Sequence, residues 1–77
     1  MSTIIPPEAK VDAIRANLDA LNALLTVALI QSKEACHLIR IGECNGAIGT
    51  VLQLDVILDD ARALYRAAMA IHRRKVI

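Results

Sequence analysis

The placement of helix breakers constrains this chain more than any other feature. No glycine or proline occurs from Glu8 to Ile41, and none from Thr50 to Ile77. Pro6 and Pro7 precede the first stretch, and Gly42, Gly46 and Gly49 all fall between the two. Glycine and proline are the poorest residues for a helix interior, so one breaker cluster divides the chain into two long elements. Ala and Leu dominate both, and the aromatic and Thr content that favours strands is low, with no Phe, no Trp and only Tyr65. The expected fold is all-α: two long antiparallel helices at 7–41 and 46–74, joined by a turn at 42–45. Residues 1–6 form a flexible arm, and 7–77 make a single helical-hairpin domain. At ~1.5 Å per residue each helix is about 45–50 Å long, and so short a turn forces antiparallel packing.

The ends carry matching signals. Pro7 suits the first turn, where its missing N–H costs nothing, and Glu8 and Asp12 sit near the positive end of the helix dipole. Gly42 is the natural residue just past a helix C-terminus. His72, Arg73, Arg74 and Lys75 suit the negative end of the second helix.

Apolar residues recur at alternating steps of three and four. On the first helix the strongest series is Val11, Ile14, Leu18, Leu21, Leu25, Ala28, Ser32, Ala35 and Ile39. On the second it is Ala47, Thr50, Leu54, Ile57, Ala61, Leu64, Ala68 and Ile71. This is the period of bundle seams, and Val11, Ile14, Leu18, Leu21, Leu25, Leu54, Ile57 and Leu64 are the expected core and dimer residues. A hairpin needs only one such stripe per helix, yet 56% of the chain is hydrophobic. Ala13, Ala20, Leu24, Val27, Leu38 and Ile41 form a second stripe on the first helix. Ile48, Val51, Leu52, Leu58, Tyr65 and Met69 form one on the second. Soluble monomers do not leave that much apolar surface open. The hairpin is therefore expected to dimerise into an antiparallel four-helix bundle with two-fold symmetry.

Several function classes find no support. A formal charge of +1 creates no strong field toward nucleic acid. The polar first ten residues lack a secretory pattern, and the apolar run from Ala20 to Ile30 is short for a bilayer span. The expected location is the cytoplasm, with no membrane partner. Cys36, His37 and Cys44 lack the close ligand pairs of a zinc site, and Cys36 and Cys44 fall out of register for a disulfide. No nucleophile, base and orienting group can converge, so neither catalysis nor a cofactor is expected. Asp55, Asp59 and Asp60 form an acidic face on which Asp59 can support Arg62. Asp55 and Asp59 repel one another, which suits a basic partner surface. Arg62, Arg66 and Arg73 run along one side of the second helix and could meet phosphates, although stacking aromatics are nearly lacking.

Two resemblances follow from these residues. A hairpin of this length, turning through Gly42-Glu-Cys-Asn-Gly46 and carrying Asp59-Asp-Ala-Arg-Ala-Leu-Tyr-Arg66, resembles the Rop type of plasmid RNA-binding regulator. That likeness implies a dimer that grips RNA hairpins. Where the Rop face carries Phe with Asn, Gln and Lys, this chain has Asn17, Asn22 and Arg15 and no Phe. The pattern Ile41-Gly-Glu-Cys-Asn-Gly-Ala-Ile48 with a Leu-rich second helix is similar to small phage and proteobacterial hairpin proteins. Those include anti-activators that bind transcription regulators such as quorum-sensing receptors, and the likeness implies sequestration of a host protein. The leading expectation is thus a non-catalytic homodimer that binds and inhibits a regulatory protein through Leu38, Ile41, Arg62, Tyr65 and Arg66. A Rop-like RNA binder using Arg62, Arg66 and Arg73 is the alternative, and a structural assembly subunit is a third.

Overall fold

In the computed structural model, which describes residues 6–74, the chain is a helical hairpin. Helix α1 spans Pro7–Arg40, α2 Cys44–Val51 and α3 Leu54–His72. Most of the expected arm, together with Lys75, lies outside the described residues. The hairpin is a rod of 58 × 18 × 12 Å between Cα atoms.

The turn is a full Schellman closure. Gly42 takes φ +84°, the Gly42 N–H donates to Ile39 O at 3.1 Å, and the Glu43 N–H donates to Leu38 O at 2.8 Å. Those two bonds satisfy carbonyls that the helix end would otherwise leave open. A Cβ at Gly42 would meet no atom within 4 Å, so the demand for glycine is conformational. Gly42→Ala is expected to cost about 1 kcal/mol, because only the backbone angle penalises it. Gly49 has negative φ and open space around its Cα. Gly49→Ala is expected to stabilise by about 0.5–1 kcal/mol through lower unfolded-chain entropy. Urea unfolding of the two variants should give midpoint shifts of opposite sign.

The second arm is not one continuous helix. It opens at Cys44 and is interrupted by a turn at Leu52 and Gln53. Two causes act together. Gly46 and Gly49 weaken the ladder, and the Thr50 hydroxyl donates back to Gly46 O at 2.8 Å, a bond that bends helices. At the break the Leu52 N–H reaches Gly49 O at 3.4 Å in a tighter turn. The heptad phase survives the bend, so the expected second-arm series from Ala47 to Ile71 faces α1 throughout, buried or half-buried at every member.

On α1 the phase differs from expectation. Ile14, Leu21, Ala28 and Ala35 face α3 and α2, but their seam partners are Lys10, Asn17, Leu24, Gln31 and Leu38. Val11, Leu18, Leu25 and Ile39 sit one residue further round the helix and stay 46–52% exposed. Four of the expected seam positions are therefore corrected to the surface, and Leu24 and Leu38 move from the second stripe into the seam.

The polar seam residues meet different fates. Lys10 Nζ donates to Arg74 O at 2.9 Å, tying the start of α1 to the end of α3. Asn17 Nδ2 donates to Ala13 O at 2.8 Å. Gln31 Oε1 is buried and meets no donor within the described chain. An unmatched buried acceptor costs about 1–3 kcal/mol, so Gln31→Leu is expected to raise the thermal midpoint by several degrees in a calorimetric scan.

The core itself is slight. Among the described residues only Ala47, Ala61 and Ala68 are buried, and no large side chain is fully enclosed. These alanines let the helix axes approach closely, but they bury little apolar area.

Candidate interaction face

The seam divides the hairpin surface into two flanks. The first contains Val11, Leu18, Leu25, Leu29 and Ile39 from α1, all exposed. In heptad phase with them, on the other arm, lie Ile48 and Val51 of α2 and Leu58, Tyr65 and Met69 of α3. A shallow cleft of about 330 Å³ at the turn end shows that the arms share this side: Cys36 and Ile39 of α1 line it together with Ile48 and Val51 of α2. The second flank carries Ala9, Ala16, Ala20, Ala23, Ala63 and Ala70, with larger residues only at Val27, Ile30, Ile41 and Val56. Glu34 and Asp60 interrupt it. The large exposed apolar side chains are thus concentrated on one side of the rod, among Arg15, Asn22, Asp55 and Arg62, which share their rows.

Charge frames that side. At the outer edge of α1, two acids (Asp12, Asp19) precede two bases (Lys33, Arg40). On α3, Asp55 and Asp59 precede Arg62 and Arg66, the bases lying one to two turns beyond the acids. Among the described residues the ion pair found is Arg15 Nη1 to Asp12 Oδ1 at 3.5 Å, between well-exposed side chains. Such an exposed i,i+3 pair contributes little. The expected Asp59–Arg62 support is not formed: none of Asp55, Asp59, Arg62 and Arg66 enters an intrachain ion pair among the described residues.

The five expected contact residues do not form one patch. Leu38 is half-buried in the seam; a Cβ placed on Gly46 would lie 3.6 Å from its Cδ1. Leu38 therefore closes the hairpin, a correction to its expected role as a docking residue. Ile41, 58% exposed, lies near the turn on the second flank. Tyr65 and Arg62 belong to the apolar flank, with Arg66 at its edge. Sequence reasoning named Val11, Leu18 and Leu25 as core and dimer residues together; in the hairpin they lie outside the seam, on this face. The signal that could have moved them was Gly42, whose closure sets which side of α1 meets the returning arm.

Other chemistry is sparse. Cys36 and Cys44 are free and exposed, and no group of three or more potential metal ligands occurs among the described residues. Helix α1 is long and apolar enough by length and composition to cross a membrane. Its stretch free of charge, however, runs only from Ala20 to Ser32. That is about 20 Å at ~1.5 Å per residue, against about 30 Å of hydrocarbon.

The fold and face together define a class: an all-α hairpin with one unpartnered apolar flank edged by separated charges. Comparison with protein-family models, with curated proteins and with solved structures gives no match.

Proposed function

We propose that the protein is a non-catalytic interaction module: a homodimeric four-helix protein that binds a regulatory protein in the cytoplasm and holds it inactive. The observation that carries this reading is the concentration of large exposed apolar side chains on one flank of a hairpin whose own core is three alanines. A chain of this size normally needs a metal, disulfides or a partner to be stable, and association supplies the missing burial here. With the apolar flank covered, the second flank around Ile30 and Ile41 stays open to a target. The similarity of the turn and second helix to small anti-activators supports a regulator as that target.

Affinity capture from a host-type lysate, run with and without nuclease, tests the reading. One protein retained in stoichiometric amount after nuclease, and lost with Ile41→Asp, supports it. Nucleic acid retained instead would put the Rop-like alternative in its place. In that case Arg62→Glu with Arg66→Glu should abolish binding and flatten its salt dependence.

A further inference from the structure

We propose that the occupant of the apolar flank is a second copy of the chain turned end for end, α1 lying antiparallel on α1 and α3 on α3, with the two-fold axis beside Leu25. This rests on the homodimer reading above and adds to it the face, the direction and the register.

The open flank argues for a copy. Among the described residues nine large apolar side chains of this flank lie open, while only Ala47, Ala61 and Ala68 are buried. A chain that needs cover in order to fold also needs a partner always present at its own concentration, and a second copy meets that condition.

The pattern argues for the direction. About Leu25 the α1 side of the flank is self-complementary: Leu25 meets Leu25, Leu18 meets Ser32, and Val11 meets Ile39. Asp19 then falls within two residues, or ~3 Å, of level with Lys33 of the other copy, and Asp12 likewise with Arg40, at the edge of the α1 pair. On α3 the same rotation brings Asp59 and Asp55 within about three residues, or ~4.5 Å, of level with Arg62 and Arg66 of the other copy, groups that enter no intrachain ion pair among the described residues. The axes implied by the charge pairs of the two helices lie within about three residues, or ~4 Å, of each other. Lys10 meeting Arg74 at one end and Leu38 meeting Gly46 at the other place Leu25 level with Asp59. That lies within about two residues, or ~3 Å, of the centre of the α3 charge pairs. Packing with both turns at the same end would instead set Leu29 against the Asp55 carboxylate and Lys33 level with Val51. The end-for-end arrangement brings each of these acids near a base of the other copy.

The test uses the full chain with Cys36→Ser and Cys44→Ser, so that introduced thiols act alone. Sedimentation of this parent reads whether it is a dimer. Under mild oxidation L25C is expected to give a disulfide-linked dimer, since the axis brings the two thiols within bridging range. A mixture of V11C chains with I39C chains should give the mixed disulfide, while either alone stays unlinked. I30C, on the second flank, should also stay unlinked. A dimer in which neither L25C nor the V11C–I39C mixture links overturns this geometry and leaves the homodimer reading standing. A folded monomer overturns both, and one that binds phosphatidylcholine–phosphatidylglycerol vesicles would assign the flank to a lipid surface.

Discussion

Leu25→Asp is expected to turn a folded dimer into a chain that is mostly unfolded at micromolar concentration. In the end-for-end dimer the two introduced carboxylates face each other across the axis, away from any base. Each copy loses about 2 kcal/mol of apolar burial and must also desolvate a charge without a partner. Together these weaken association by about 1,000-fold or more. Because only Ala47, Ala61 and Ala68 are buried among the described residues of the hairpin, loss of the partner removes most of the stabilising burial. Far-ultraviolet circular dichroism and sedimentation across a concentration series should show both effects. The parent's melting temperature should rise with concentration, as folding linked to association requires, and the variant should have lost most of its helix. Ile30→Asp, also at an exposed position (60% against 46% for Leu25) but on the second flank, should leave dimer and melting temperature nearly unchanged. A dimeric Leu25→Asp protein with parent-like stability would count against the assigned face.

Ala61→Leu is expected to be the next most damaging change, and it acts inside the hairpin. Ala61 is buried on the face of α3 that meets α1, so the isobutyl group that replaces its methyl must be fitted into a packed seam. Overpacking of this kind costs about 2 kcal/mol, or roughly 8–16 °C in Tm for a domain of this size. Ala63→Leu, two residues on and exposed on the second flank, should shift Tm by little. Ala61→Ser adds an oxygen that can donate to the carbonyl four residues back, and should fall between the two. Equal effects at positions 61 and 63 would mean that α3 faces α1 in a different phase.

Much of this architecture is legible before any coordinates. Gly42, with breaker-free stretches on both sides, specifies two helical arms and the site of reversal, since only a residue tolerant of positive φ closes an α-helix this tightly. The α3 stripe is legible for a related reason. Ala61, Leu64, Ala68 and Ile71 form the one clean apolar series there, because Asp60, Arg62 and Arg66 mark their neighbours as surface. The bend at Leu52 and Gln53 was not legible. Glycines announce weakness in a helix but not the position at which it gives way; Thr26 makes the same bond to Asn22 in the unbroken α1 that Thr50 makes to Gly46 here.

The α1 phase shows where the sequence stops deciding. Two stripes one residue apart were available, and hydrophobicity favoured the one with Val11, Leu18, Leu25 and Ile39 over the one with Lys10, Asn17 and Gln31. A helix repeats often enough to satisfy either choice, so nothing local separates them. The amino-acid order determined the helices, the turn, the α3 seam and the surplus of apolar side chains. The tertiary structure decided which α1 stripe goes inside. Closing the turn through Gly42 sets Leu38 over Gly46 and Lys10 on Arg74, and those two contacts fix the rotation of α1 along its whole length. Val11, Leu18 and Leu25 are thereby turned outward, because a rigid helix pinned at both ends has no freedom left to exchange one face for the other.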